Sequence, residues 1–180
     1  MRETIKLAVR LMIFALAAAL LLAVVNELTE DKIIQNTQNK INAARKSVIG
    51  DYVFEDAGAD VSELNCVKGV FAAINGDSTE GYVYELESKG YGGTIYLSVG
   101  ILSDGSVSGV TVSSHSETKG IGSKDEVVFM EGFVGLDAAD GADLVDAMSG
   151  ATVSSNAVKK AVNEAMSHFE AHYAEKEGGN

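Results

Sequence analysis

The segment Asp146–Thr152 combines small residues with hydroxyl groups directly before a pattern typical of a helix. The apolar residues that follow recur at helical spacing, and they are Val158, Ala161, Val162, Ala165, Met166 and Phe169. This pattern predicts that the hydroxyl of Thr152 lies on the turn that leads into a helix N-terminus. Free backbone N–H groups and the positive end of the helix dipole favour an anionic phosphate there. Thr152 is therefore a candidate to carry a phosphate, or a group attached through one.

The same segment resembles the flavinylation motif Asp-x-x-Ser/Thr-Gly-Ala-Thr of the FMN-binding domain family. That family includes the G subunit of the Rnf electron-transport complex and the C subunit of the sodium-pumping NADH:quinone reductase. In the family, a separate flavin transferase uses FAD as donor and esterifies the phosphate of FMN to the last Thr. The motif positions are filled here by Asp146, Ser149, Gly150, Ala151 and Thr152. The resemblance therefore implies that Thr152 holds a covalent FMN through a phosphoester bond.

Residues around Thr152 have supporting roles in this hypothesis. The residues that shape the turn and offer N–H groups to the phosphate are Ser149, Gly150 and Ala151. Ser154 and Ser155 can cap the following helix or hydrogen-bond the phosphate. Asp146 is a turn-former or a group recognised during flavin transfer, because its charge would repel a phosphate. The alternative is that Ser149–Thr152 only caps a helix, as Ser and Thr commonly do.

A second segment, His115–Gly122, follows a predicted hairpin whose turn is Ser103–Ser106. Residues 90–122 resemble the same family's central hairpin and its loop His-x-Glu-Thr-Pro-Gly-x-Gly, with Lys119 in place of the usual proline. By this resemblance the loop forms one wall of the flavin site, since glycines permit close backbone approach and polar groups can hydrogen-bond the ring. The residues expected in this wall are His115, Glu117, Thr118, Gly120 and Gly122. Alternatively, His115 caps the strand, Glu117 is solvated and the glycines only form a turn.

The N-terminal region predicts a membrane anchor. Leu11–Val25 contains no polar residue, and extension back to Ile5 brings it to the roughly 20 residues that span a bilayer. Lys6 and Arg10 would then reach toward the headgroups. Basic residues precede the segment and acidic residues follow it, so the positive-inside rule predicts a single pass through the cytoplasmic membrane, with a cytoplasmic N-terminus and an extracytoplasmic domain. A cleavable signal peptide is the alternative, although no small-residue cleavage site follows the segment.

The remaining patterns predict an α+β domain with a central antiparallel sheet and flanking helices. Short β-like runs indicate strands over 67–75 and 81–88, and alternating residues support the second of these and a further strand over 94–101. A partner strand is predicted through Val107, Val110 and Val112. Helices are predicted over 27–47, near 124–132 and over 154–173. The predicted division is a transmembrane anchor over 1–26, a stalk helix and linker over 27–66, an FMN-binding domain over 67–174 and a flexible tail over 175–180.

Composition argues against several classes of function. The chain has 26 acidic and 14 basic residues, a formal net charge of −12, and no basic patch that indicates a nucleic-acid partner. Cys66 is the only cysteine, which excludes an intramolecular disulfide and a cysteine-bound iron–sulfur cluster. His168 and His172 have i, i+4 spacing, but a solvated helix end is favoured there over a metal site. The sequence predicts no catalytic residue and no metal ligand.

The sequence also lacks a dinucleotide fingerprint, a P-loop and a nucleophile–base pair. The chain is therefore not expected to oxidise a soluble substrate alone, and FMN would supply the redox chemistry. By the resemblance, it is the electron-transfer subunit of a membrane-bound, ion-translocating ferredoxin:NAD oxidoreductase of Rnf type. Its expected partners are the other subunits of that complex and the FAD-dependent flavin transferase. One alternative is a stand-alone anchored flavoprotein or a quinone-reductase subunit of the same family, and another is a non-redox anchored binding module.

Overall fold

A computed structural model of the chain describes residues 2–115 and 124–174. The helices are α1 (Arg2–Ile49), α2 (Lys124–Glu131) and α3 (Thr152–His172), and a short 3₁₀ helix covers Ala142–Leu144. The strands are β1 (Val53–Asp56), β2 (Val67–Asn75), β3 (Ser78–Lys89), β4 (Thr94–Leu102) and β5 (Val107–Ser114). They form one sheet in the order β1-β2-β3-β4-β5, in which every neighbouring pair is antiparallel. The predicted α+β class with a central antiparallel sheet is therefore confirmed.

The chain divides into two compact units, residues 1–40 and 41–180. The first unit consists of the greater part of α1. Within it, Val9–Glu30 has a mean hydropathy of 2.4 in its most apolar window, and none of that window is buried inside the protein. By length and composition this helix is able to cross a membrane, because about 20 apolar residues span the hydrocarbon core.

The main core of the second unit lies between α3 and one face of the sheet. The six apolar residues of the predicted helical pattern are all buried in α3. They pack against strand residues that are at most 2% exposed, namely Tyr84, Leu86, Ile95, Leu97, Val99 and Ile101. Because alternate residues of a strand point to the same face, the helical and strand periodicities meet in one core. The N-terminus of α3 is thereby held at a defined place beside the sheet.

The last turns of α1 pack against the opposite face of the sheet, within the second unit. Gly100 and Gly109 are register partners in β4 and β5. A Cβ atom on Gly100 would lie 2.5 Å from the backbone oxygen of Val48, so only glycine permits this close approach. The hydroxyl of Ser108 donates a hydrogen bond to the same oxygen at 2.6 Å. The sheet is therefore covered on both faces where β4 passes through it.

Arg45 joins this helix end to two other strands. Its Nε and one terminal nitrogen donate hydrogen bonds to Oε1 of Glu85 at 2.9 and 2.7 Å. Its guanidinium carbon lies 3.5 Å from the centroid of the Phe71 ring, which is a cation–π geometry. The side chains of Arg45 and Glu85 are only 12% and 29% exposed, so this charge-assisted pair is partly shielded from solvent.

Three features differ from the sequence-based expectations. The region 48–66, predicted only as a linker, contains β1, which pairs with β2 from Phe71 to Ile74. α3 begins at Thr152 rather than near Ser154. His168, predicted on a solvated helix end, is instead 6% exposed, and its Nδ1 lies 3.1 Å from the hydroxyl of Tyr84. Burial raises the pKa of the Tyr84 phenol and lowers the pKa of His168, so burial favours a hydrogen bond between a neutral phenol and a neutral imidazole.

Candidate functional site

Thr152 is the first helical residue of α3, directly after the predicted turn. Gly150 has a φ of 75°, a left-handed conformation that glycine adopts without steric cost. The carbonyl of Ala151 accepts the N–H of Ser155 at 2.9 Å, which makes Ala151 the N-cap. The side chain of Thr152 is exposed. Among the described residues, no hydrogen bond involves its hydroxyl. The hydroxyl is therefore accessible to a modifying enzyme.

The geometry of the cap disfavours the interpretation that Ser149–Thr152 only caps the helix. Ala151 occupies the N-cap, and no side-chain cap hydrogen bond is made there. The first turn also contains no acidic residue. Since an alanine side chain cannot accept a hydrogen bond, the cap leaves the first-turn N–H groups to another acceptor. An anion attached at Thr152 would be close to those donors and to the positive end of the helix dipole.

The buried hydroxyl of Ser155 bridges two backbone groups of the motif turn. Its side chain is fully buried. Its Oγ accepts the N–H of Met148 at 3.0 Å and donates to the carbonyl of Ala151 at 3.0 Å. The N–H of Ala151 in turn donates to the carbonyl of Met148 at 3.1 Å. These bonds assign Ser155 to positioning the turn, whereas the sequence suggested a cap or a direct phosphate contact.

The loop between β3 and β4 lies against the start of α3. Ser154 is 2% exposed, and its Oγ accepts the N–H of Tyr91 at a long distance of 3.5 Å. The N–H of Gly90 donates to the carbonyl of Gly93 at 2.8 Å and closes the loop. Tyr91 is 81% exposed, so the loop beside the first turn of α3 carries an exposed aromatic side chain. The sequence alone predicted Gly90–Gly93 only as a loop, and the exposure of Tyr91 beside α3 became visible only in the structure.

His115 lies at the same end of the sheet as this loop. Tyr96, near the start of β4, pairs with Ser114 at the end of β5, and His115 follows directly. The structure therefore brings Thr152, Ser154 and the Tyr91 loop together and places His115 at the sheet end next to that loop. The other residues predicted for this wall lie outside the described residues, and they are Glu117, Thr118, Gly120 and Gly122.

A hollow of about 290 Å³ lies between α2 and the segment that enters the motif turn. Its lining residues are Val128, Phe129, Val145, Asp146, Ala147 and Met148. The side chain of Asn163 in α3 accepts the N–H of Ala142 at 2.6 Å and so holds the start of this segment. Asp146 and Ser149 are both exposed. With one carboxylate among apolar groups, the hollow suits an apolar or cationic group better than a phosphate.

Comparison with known proteins establishes the family. Residues 90–167 match the family model described as the FMN-binding domain, and residues 1–48 match that of the RnfG N-terminal region. The G subunits of the ion-translocating oxidoreductase complex from two strains of Cereibacter sphaeroides are 29% and 30% identical to the chain over 181 residues. Each alignment covers 91% of this chain and 83% of the relative. The chain belongs to the family of G subunits of ion-translocating oxidoreductase complexes.

The chain is also similar to another G subunit over a shorter aligned length. The G subunit of the proton-translocating ferredoxin:NAD(+) oxidoreductase complex of Clostridium ljungdahlii is 38% identical over 114 residues, which are 58% of this chain and 62% of the relative. The match to the FMN-binding domain begins at the Tyr91 loop and ends in α3. It therefore contains Thr152, Ser154 and His115. The family resemblance predicted from the motif is confirmed, and the chain carries an FMN-binding domain.

Proposed function

We propose that this chain is the subunit of an Rnf-type ion-translocating ferredoxin:NAD oxidoreductase that relays electrons through an FMN esterified to Thr152. Membership of the G-subunit family supports the complex, and the FMN-binding domain supports the cofactor. One observation carries the attachment site: Thr152 ends a complete Asp-x-x-Ser-Gly-Ala-Thr segment and is exposed at a helix start that has no side-chain cap. The N–H groups of that start favour the phosphate of FMN.

The attachment needs one bond exchange at Thr152. Oγ of Thr152 would form a bond to the FMN phosphorus of FAD, the phosphoanhydride bond to AMP would break, and the hydroxyl proton would pass to solvent as AMP leaves. Gly150 allows the tight turn that presents this oxygen, and Ser155 holds the turn in place. The first-turn N–H groups of α3 would then hold the attached phosphate.

Residues at the same end of the sheet would hold the ring system. The exposed ring of Tyr91 offers an aromatic face, and His115 offers a hydrogen-bonding edge. Bound FMN supplies the electron-transfer chemistry, whereas these residues orient it. In this proposal α1 spans the cytoplasmic membrane once, with the basic N-terminus in the cytoplasm and the flavin domain outside. Other subunits of the complex are then its partners.

The central test compares Thr152→Val with Thr79→Val. Both variants exchange a hydroxyl for a methyl group of nearly the same size, and both positions are exposed. The full chain is expressed with an FAD-dependent flavin transferase, denatured, and examined for flavin fluorescence on a gel and for its intact mass. We expect wild type and Thr79→Val to gain one FMN less one water. Thr152→Val should gain nothing.

The other possible results of this test distinguish between the alternative functions. Fluorescence that survives in Thr152→Val would place the flavin elsewhere and refute the attachment site. Wild-type protein without flavin after this co-expression would favour the non-redox binding module. A flavinylated protein that leaves the membrane without integral partners would favour the stand-alone flavoprotein instead of a member of the complex.

A further inference from the structure

Most of the exposed large apolar side chains of the second unit lie on a few elements, which include α2 and the first turn of α3. Among the described residues beyond α1, the exposed large apolar side chains are Val53, Tyr91, Tyr96, Val127, Val128, Val134, Leu144 and Val153. All except Val53 lie on the β3–β4 loop, the start of β4, α2 and the turn after it, the 3₁₀ helix or the first turn of α3. Single exposed apolar residues are normal, but three of these valines lie on α2 and the turn after it, where they line two adjoining hollows and indicate an interaction surface.

α2 forms a ridge between two hollows in this region. Val128 lines the hollow beside the motif turn together with Val145 and Asp146. Val127 and Val134 line a groove of about 360 Å³ on the other side, against β5. We call the surface formed by Val127, Val128, Val134 and Leu144 the α2 face. It adjoins the segment that leads directly into Thr152.

The chain around the α2 face is acidic. Residues 124–158, from the start of α2 into α3, contain seven acidic residues and one basic residue, Lys124. Glu131, Asp143 and Asp146 are exposed beside the valines and Leu144. A complementary surface therefore has an apolar centre and a rim of Lys or Arg, while an acidic protein would be repelled.

We propose that the α2 face is the docking site for an electron-carrying protein whose surface has an apolar centre and a basic rim. The inference rests on the proposed function, since docking beside Thr152 serves electron exchange only if Thr152 carries FMN. The face exposes only a few apolar side chains, which suits the small contact of a transient electron-transfer encounter, below about 1,200 Å². A partner that binds here approaches the motif turn directly, and it can leave after the exchange.

The test uses a lysine-rich cytochrome c as the basic probe, and the same protein with acetylated lysines as its control. Acetylation keeps the haem and removes the charge of the rim. The flavinylated full chain in detergent is reduced with a stoichiometric reductant and mixed with each probe. One electron passes from the reduced flavin to each ferric haem, which becomes ferrous and is followed by absorbance. We expect the native probe to react about tenfold faster or more at low salt. That advantage should vanish near 1 M salt, where charges are screened within about 3 Å.

Two matched pairs of variants distinguish an effect at the α2 face from an effect of the chain's net charge or of a less apolar surface. Asp143→Lys beside the α2 face and Glu55→Lys on β1 change the net charge equally, and both positions are exposed. Val128→Asn and Val53→Asn each replace a valine that is 69% and 63% exposed, respectively. We expect Asp143→Lys and Val128→Asn to slow the reduction of the native probe by about threefold to tenfold, as for a central contact residue. The two β1 variants should react like wild type, and equal effects within each pair would overturn the proposal.

A flavin measurement distinguishes failure of the docking proposal from failure of the proposed function. Flavin fluorescence is measured for every variant on a denaturing gel. If Val128→Asn or Asp143→Lys loses flavin while its β1 partner keeps it, the face serves the flavin transferase and the proposed electron carrier is wrong. If even wild type lacks flavin, the proposed function fails, and docking is then measured as binding of the native probe to the flavin-free chain. Binding that Asp143→Lys weakens and Glu55→Lys does not would still support the α2 face, and equal binding would refute it.

Discussion

Replacement of Ser155 by alanine should loosen the turn that presents Thr152. The buried N–H of Met148 would lose its acceptor, the Ser155 Oγ at 3.0 Å. The carbonyl of Ala151 would lose the hydroxyl but keep the backbone N–H of residue 155 at 2.9 Å. One buried donor is therefore left without a partner, which costs about 1–3 kcal/mol. The substitution removes a single oxygen, so a cavity term adds little, and we expect the free energy of unfolding to fall by that amount.

Tyrosine fluorescence provides a selective assay for this change. All six tyrosines lie beyond residue 50, so their signal reports urea unfolding of the second unit without contribution from the apolar part of α1. The flavin-free full chain in detergent is used, because a flavin would quench the signal. Ser167→Ala is the matched control: it makes the same change on the exposed side of α3, where the free energy of unfolding should move by less than about 0.5 kcal/mol. Flavin loading by the transferase is then compared between the two variants, and only Ser155→Ala should load more slowly.

Two results would refute this reasoning. If Ser155→Ala unfolds with the same midpoint as Ser167→Ala, the hydroxyl does not hold the turn. If Ser155→Ala is destabilised by the expected amount but gains flavin at the wild-type rate, the geometry of the turn does not control the presentation of Thr152. The role of Ser155 would then be confined to stability.

Three further changes test the packing around the sheet. Gly100→Val should lower the free energy of unfolding by about 1–3 kcal/mol, because its Cβ would meet a backbone oxygen of α1 at 2.5 Å; an unchanged urea midpoint would contradict the close approach. Single and double alanine variants of Arg45 and Glu85 should show a coupling energy of about 1 kcal/mol in a double-mutant cycle, whereas additive effects would mean that the pair contributes nothing. The pKa of His168 is lowered from its ordinary value of 6.5, mainly by burial and further by a neighbouring imidazole. The stability that the neutral His168 contributes should therefore be fully present above pH 6.5 and should be lost as the pH falls toward the lowered pKa of the folded state. His168→Gln, which can still hydrogen-bond to Tyr84, should flatten that decline in unfolding measurements between pH 7 and pH 5. An unchanged slope would assign the decline to another group.

Local spacing in the chain was sufficient to predict most of the second unit. The apolar pattern from Val158 to Phe169 predicted α3, and all of its residues are buried. The alternation in β3 and β4 and the turn at Ser103–Ser106 predicted the central hairpin, which the register of the sheet confirms. These predictions succeeded because a helix or strand that buries one face must repeat its apolar residues with its own period.

β1 and the end of α1 could not be predicted in the same way. Val53–Asp56 has only four residues, one of them half-buried and three exposed, so it lacks an alternating pattern. It is a strand because β2 supplies its hydrogen-bond partners. The end of α1 packs against Gly100 and Gly109, which lie more than 50 residues further along the chain. Local periodicity carries no information about such a distant contact.

The sequence by itself identified the candidate site: a complete motif that ends at Thr152 before a strongly periodic helix, in a chain with an apolar N-terminal helix. Only the tertiary structure decided how that site is built. It made Ala151 the cap, turned the hydroxyl of Ser155 inward to Met148, and placed Tyr91 next to Ser154 across 63 positions of sequence. The physical reason is that buried polar groups must find hydrogen-bond partners once the sheet and α3 have packed together. That packing decides which way the Ser155 hydroxyl points and which residue the Tyr91 loop contacts.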